Sequence, residues 1–140
     1  MPAPDPIELV PLGRMDITLR DPFVLGGVPA GTFVVAELET VRFEGEKLKA
    51  SGKGSANADW VTISPDGTAV IDVKILLESD DGALIFVSYT GRLDIATGTA
   101  YAAPTFQTGD ERYAWLNNLV AVGKGKTDQK SLTYELHEMR

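Results

Sequence analysis

The sequence predicts an all-β fold: a single antiparallel β-barrel with at most one short helical turn, near Asp110–Trp115. Three observations predict it. Val, Ile and Thr supply 31 of the 140 residues, a β-branched load that suits pleated, half-buried strands. The apolar runs are short and punctuated by Gly, Asp and Pro, and the i, i+3, i+4 spacing of an amphipathic helix is nowhere sustained. About eight to ten such runs in one small chain leave many strand edges to protect, and closure into a barrel removes them. A two-sheet sandwich is the alternative arrangement of the same strands. The length fits one domain, with the proline-rich residues 1–6 as a loose lead-in and residues 7–140 as the barrel.

The elements follow in order. Ile7–Leu12 and Met15–Leu19 read as two short strands parted by Gly13-Arg14, and Gly26-Gly27 and Pro29-Ala30-Gly31 read as loops. Thr32–Val41 is a Val-rich strand, Lys47–Gly52 a weaker one, and Gly52–Asn57 a loop leading to a strand at Trp60–Ile63. In Ser64-Pro65-Asp66-Gly67, Pro presets φ and Gly accepts a positive φ, so the chain turns. Ala69–Ser79 alternates Ile71, Val73, Ile75 and Leu77 against Asp72, Lys74 and Glu78, the period of two of a strand with one face buried. Asp80-Asp81-Gly82 marks a hairpin into Ala83–Gly91, which is apolar on both faces. Thr99–Phe106 is a strand that Pro104 confines to an edge or bulge. Asp110 is an N-cap for the helical turn, and Leu116–Gly123 and Ser131–Met139 close the fold.

Composition excludes several chemistries. The chain has no cysteine and one histidine, His137, so thiol nucleophiles, Fe–S clusters and Cys- or multi-His metal sites are out of reach. Neither a metal nor an organic cofactor is expected: there is no calcium-loop spacing, no dinucleotide fingerprint, and Gly123-Lys124-Gly125-Lys126 lacks P-loop spacing. The net charge of −7 without a basic cluster argues against nucleic acid and anionic membranes as partners. No apolar run is long enough to span a bilayer, and the first residues have no signal-peptide pattern, so a cytoplasmic protein is expected. Leu76, Leu84 and Phe86 are large apolar residues on strand faces that a monomeric barrel shows to water, which predicts a homodimer or higher homo-oligomer.

An ordered set of residues brings a family into view. It comprises Phe43-Glu44-Gly45 and Leu48, Asp59-Trp60, Asp66-Gly67, Asp72-Val73-Lys74, and Asp81-Gly82-Ala83-Leu84-Ile85-Phe86-Val87 ending at Gly91. Pro104, Phe106-Gln107-Thr108-Gly109-Asp110 and Arg112-Tyr113-Ala114-Trp115-Leu116-Asn117 complete it. The set resembles the domain-of-unknown-function family 3237 (uncharacterised protein family 0311) from about Ile7 to Met139. The resemblance implies a small barrel like the lipocalin and allene-oxide-cyclase barrels, typical of a single-domain bacterial protein, with no settled activity. Three residues depart from the family pattern: Glu46 where proline is common, Val41 where glycine is common, and His137 where tyrosine is common.

Candidate site residues follow from chemistry. Asp59 is either a cap of the preceding loop or a carboxylate acid–base beside the aromatic wall of Trp60, facing Tyr89 or Trp115 across a cavity. Burial beside an indole raises a carboxyl pKa toward neutrality, which suits proton transfer. Tyr89 shares a face with Ile85 and Val87, so if that face is interior its hydroxyl needs a partner. Trp115 and Asn117 share a strand face by period two and either bind a ligand ring and its oxygen or close the barrel and satisfy a loop. Tyr101, Phe106 and Tyr113, like Tyr89, either line a cavity or pack as core. Asp72 and Lys74 form a solvated outer face, or a polar ligand-binding interior; the resemblance, which carries an acid and a base at these positions, keeps the second open. The expected catalytic residues are therefore Asp59 and Tyr89. The expected ligand contacts are Trp60, Asp72, Lys74, Tyr101, Phe106, Trp115 and Asn117. The expected function is a cofactor-free isomerase, cyclase or lyase acting on a small aromatic or polyketide-like molecule in the barrel, the alternative being a non-catalytic carrier or sensor of the lipocalin type.

Overall fold

A computed structural model describes all 140 residues. Its strands are β1 (Leu9–Leu19), β2 (Phe23–Val28), β3 (Gly31–Glu44), β4 (Lys49–Gly52), β5 (Ala58–Ile63), β6 (Ala69–Ser79), β7 (Leu84–Asp94), β8 (Thr99–Ala102), β9 (Thr105–Gln107), β10 (Ala121–Thr127) and β11 (Ser131–Met139), with one 3-10 helix, Glu111–Asn118. All pairings are antiparallel, and they close a ring of eight staves: β1–β3–β5–β6–β7–β8–β10–β11–β1. The fold is the expected closed barrel rather than a sandwich.

Eleven strands make eight staves because three staves are broken by local chemistry. Past Arg20-Asp21-Pro22 the line of β1 resumes as β2, still pairing β3. Pro104 has no N–H to give a ladder, and it parts β8 from β9, which both pair β7 in one register. The loop between β4 and β5 is spanned by Asn57, a buried side chain whose Oδ1 accepts from the Leu76 amide at 2.9 Å and whose Nδ2 donates to the Leu76 carbonyl at 3.5 Å. An amide side chain thus stands in for the missing stretch of backbone between β3 and β6.

Several boundaries differ from the sequence reading. Ile7–Leu12 and Met15–Leu19 are one strand with a bulge between Pro11 and Gly13. A Cβ on Gly13 would lie 2.8 Å from the Phe43 ring, so glycine there lets two strands approach. Gly26-Gly27, read as a loop, lie within the strand Phe23–Val28 but are unpaired there: Phe23–Leu25 and Val28 pair with β3, and the register shifts between Leu25 and Val28. The segment Leu116–Gly123 is not one strand: Leu116 belongs to the 3-10 helix and the strand begins at Ala121. That helix starts where expected, with the Asp110 side chain accepting from the Arg112 amide at 2.9 Å.

One end of the barrel is packed shut. Phe43, Leu48, Leu77, Ile85, Phe106 and Leu136 are buried there with Leu116 from the helix, which Tyr113 ties to the β6–β7 hairpin by donating to Asp81 at 2.8 Å. The other end carries the β5–β6, β7–β8 and β10–β11 turns, and β2 with the first half of β3 rises beside it. The outer edge of β2 is unpaired, and Phe23, Val24 and Leu25 are exposed. No helix of the chain is long and apolar enough to cross a membrane.

Closure brings strands close wherever a side chain is missing. A Cβ on Gly91 in β7 would run into the carbonyl of Tyr101 on β8. Gly91→Ala is expected to lower stability by about 1–3 kcal/mol, read as a fall in the urea midpoint at unchanged m-value.

Candidate active site

Alternation decides what faces inward. Along β6, Ile71, Val73, Ile75 and Leu77 are buried and Asp72 and Lys74 face outward. On β7 the buried set is Ile85, Val87 and Tyr89. At the open end these rows surround a cavity of about 280 Å³ lined by Ile17, Leu19, Pro22, Val24, Val34, Ala36, Leu38, Asp59, Val61, Ile63, Ile71, Val73, Tyr89, Leu93, Ile95, Ala100, Thr127, Gln129, Leu132 and Tyr134. Of these, Asp59 is the one carboxylate, and no Lys, Arg or His contributes. Barrels of this strand number have room inside for one small ligand.

Asp59 enters this wall from within β5. The β5–β6 ladder pairs Asp59 with Val73 and then Thr62 with Val70. Between these pairs the Asp72 amide donates to Asp59 Oδ1 at 3.1 Å, the one hydrogen bond the carboxylate makes within the chain. Desolvation by the apolar wall raises its pKa to about 6; the Asp72 amide opposes the shift and the Asp72 charge adds to it. Across the barrel, Tyr89 and Tyr134 meet edge to face with ring centroids 5.6 Å apart. Burial pushes both phenols above their usual range, and the Asp59 charge acts on each in the same direction.

Tyr134 is absent from the sequence reading. Its signal is the Leu132, Tyr134, Leu136 alternation on β11, and a second lies opposite. β10 sets Gly125 beside Tyr134 and Gly123 beside Leu136. A Cβ on Gly125 would come within 2.7–2.8 Å of the Tyr134 ring. The spaced glycines of the Gly123-Lys124-Gly125-Lys126 run clear a socket for that ring.

The structure brings Asp59 and Tyr89 together in the cavity and separates the other expected contacts from it. Trp60 follows Asp59 on a strand, so it points the opposite way and is 54% exposed on the outer wall. Asp72 and Lys74 face each other outside, 3.6 Å apart, which corrects the polar-interior alternative; only the Asp72 backbone reaches the site. Tyr101 is 51% exposed on the outer face of β8, and Phe106 is buried in the closed half. Trp115 and Asn117 sit on the 3-10 helix, so the period-two argument for them does not apply. Trp115 packs under the Lys47 ammonium, 5.5 Å from the ring centroid. Asn117 accepts from the Thr108 amide at 2.8 Å and donates to its carbonyl at 3.0 Å, clamping a loop. Asn117 also borders a shallow outer depression of about 620 Å³ with Leu76, Leu84 and Phe86, which is larger than the cavity but holds no ionisable side chain. No group of three or more His, Asp or Glu side chains is arranged to hold a metal.

Fold and site together define a small closed β-barrel with one apolar, carboxylate-bearing pocket at its open end. The chain belongs to the DUF3237 family, described as proteins of unknown function, whose model matches residues 7–139. It is 37% identical over 62 residues to the hydroalkoxylation enzyme phnH of Penicillium herquei, a match covering 44% of this chain and 38% of that protein's length. Among solved structures it is similar to a β-barrel-like protein of Acinetobacter baumannii AYE, at 28% identity and a TM-score of 0.86 over 99% of each chain. An enzyme of Penicillium herquei shares the fold at 24% identity and a TM-score of 0.82, over 100% of this chain and 99% of that one.

The raised Asp59 pKa has a consequence for stability. Between about pH 4 and pH 6 the native carboxyl holds a proton that the unfolded chain has released, so this group's contribution falls as pH rises through that window. The shift corresponds to a loss on the order of 3 kcal/mol. Asn at this position keeps an oxygen for the Asp72 amide and cannot ionise. Asp59→Asn is therefore expected to gain stability relative to the wild type as pH rises from about 4 to 7, measured as the difference between their urea midpoints at each pH.

Proposed function

We propose that this chain is a small acid–base enzyme in which Asp59 moves a proton on a neutral, largely apolar molecule enclosed in the barrel. The observation that carries the reading is the position of Asp59: the one carboxylate in the wall of a 280 Å³ apolar cavity, with its pKa raised to about 6. A group poised there is mostly ionised at neutral pH, ready to accept a proton, and is acidic enough to return it. The remaining wall is shape. It holds reacting ends of one molecule near each other and keeps water from the developing charge.

The partial relative's name points to a reaction of this type. Hydroalkoxylation adds an O–H across a C=C bond. In its intramolecular form Asp59 accepts the hydroxyl proton as the oxygen pair forms the C–O bond, the π pair moves to the neighbouring carbon, and the Asp59 carboxyl returns the same proton there, ending ionised as it began. No redox partner is needed and nothing leaves. We place this chain in that class of cyclisation, with isomerisation or elimination by the same proton shuttle as its near variants.

The test uses a panel of ortho-alkenyl phenols in D₂O, followed by chromatography and mass spectrometry for the cyclic ether with one carbon-bound deuterium. The wild type is expected to form it, and Asp59→Asn to be slower by about 10²–10⁴ with its barrel intact. Undiminished turnover in the variant would overturn the role of Asp59. Phenols enclosed and released unchanged by the wild type would favour the carrier reading.

We also propose that the chain self-associates through the outer face of β6 and β7, where Leu76 and Leu84 are exposed beside Phe86. Light scattering at micromolar concentration is expected to show a multiple of 15.0 kDa. A 15.0 kDa species would remove the proposal.

A further inference from the structure

We infer that Tyr89 and Tyr134 form a receptor for a single ligand oxygen bonded to an sp² carbon, as in a ketone, enol or phenol, and that the ligand is neutral and otherwise apolar. The inference deepens the acid–base reading and rests on it only for what happens after binding.

The first argument is an accounting of hydrogen bonds. Tyr89 is 2% exposed and Tyr134 0%; the two hydroxyls lie near enough to act on one another, but neither reaches full hydrogen-bond geometry with any group in the chain. Buried hydroxyls are almost always paired, because stripping one of water without replacing its bond costs free energy. Two such groups converging from β7 and β11 on the wall of one cavity form a site whose partner comes from outside the chain. Asn57, by contrast, has both ends of its amide satisfied and is part of the fold.

The second argument is that Tyr134 is held in place by construction. Gly125 leaves room for its ring where a Cβ would lie within 2.7–2.8 Å, and a Cβ on Gly123 would lie 3.3 Å from it. A phenylalanine ring would fill the same socket, so the hydroxyl adds nothing to packing. Its retention in a dry wall calls for a bond it makes when the pocket is filled.

The third argument is charge. Both hydroxyls stay protonated, since burial raises their pKa values, so both can donate to one oxygen. With no cation in the lining and Asp59 beside them, an anionic carboxylate or phosphate finds no counter-charge. A phenol or enol places its oxygen on the tyrosines and its proton toward Asp59, and a ketone uses the tyrosines alone. The remainder of the wall is mostly apolar around a space of about 280 Å³, which suits a compact apolar body such as a bicyclic aromatic.

The test is calorimetric titration with three probes of one shape: naphthalene, 2-naphthol and 2-naphthoate. The wild type is expected to bind 2-naphthol about tenfold more tightly than naphthalene and to reject 2-naphthoate. Tyr89→Phe and Tyr134→Phe should each shrink that preference, and the double variant should abolish it while keeping its affinity for naphthalene. Both Phe variants should melt at or above the wild-type temperature without ligand, because each removes an unpaired buried hydroxyl. Asp59→Asn should weaken the preference for 2-naphthol without abolishing it, since both tyrosines still donate, whatever its effect on turnover, which separates this inference from the catalytic one. Equal binding of the two neutral probes by the wild type, or failure to bind either, would overturn it. So would an undiminished preference in the double variant, or a preference lost in Asp59→Asn.

Discussion

The pairing of the first strand with the last is the contact on which the rest of this molecule depends. β1 runs antiparallel to β11 from Leu9–Met139 to Thr18–Ser131, and this ladder joins the two ends of a sheet whose other neighbours follow one another along the chain. Without it both strands are edges, and the inward row of Met15, Ile17, Leu132, Tyr134 and Leu136 faces water. The cavity would lose a wall as well, since Ile17, Leu132 and Tyr134 belong to it. The loop closed by this pairing is nearly the whole chain, so its entropic cost must be offset by burying both strands at once.

Inside the closed barrel the polar groups fall into two kinds. Asn57 is buried, bonded at both ends and bridges a gap between strands, so its chemistry is spent on structure. Asp59 uses the same device, a side chain reaching an amide of β6, but satisfies only one oxygen and borders space. Tyr89 and Tyr134 go further and satisfy nothing within the chain. A barrel interior that leaves these groups unpaired carries a stability cost at the candidate site. The closed end has no such feature: Phe106, Leu116 and their neighbours belong to one buried apolar cluster, and the helix caps them.

Much of the fold was legible because strand signals are local. The period-two pattern of Ala69–Ser79 and the turn chemistry of Ser64-Pro65-Asp66-Gly67 lie within a few residues, and both elements stand where the sequence put them. The same rule, applied strictly, separates Asp59 from Trp60, since neighbours on a strand face opposite ways. Where the period itself changed, the reading failed: Trp115 and Asn117 lie on a 3-10 helix and not on a strand. Phe106 shows a third limit, for it faces inward as expected yet lies in the closed half, away from the cavity. Period distinguishes in from out, but depth along the barrel depends on stave register.

The sequence by itself determined an all-β barrel, its turn positions and the absence of thiol and multi-histidine chemistry, and it marked Asp59 and Tyr89 as candidates while leaving the first open as a loop cap and the second dependent on which face is interior. Only the tertiary structure decided that Tyr134 joins them, that β2 rises beside the open end, and that Trp60, Tyr101, Asp72 and Lys74 remain outside. The physical reason is separation along the chain. Alternation and turns are set by residues in contact with their neighbours in sequence, whereas Asp59, Tyr89 and Tyr134 come from three staves that meet only when the sheet has curled and its ends have paired.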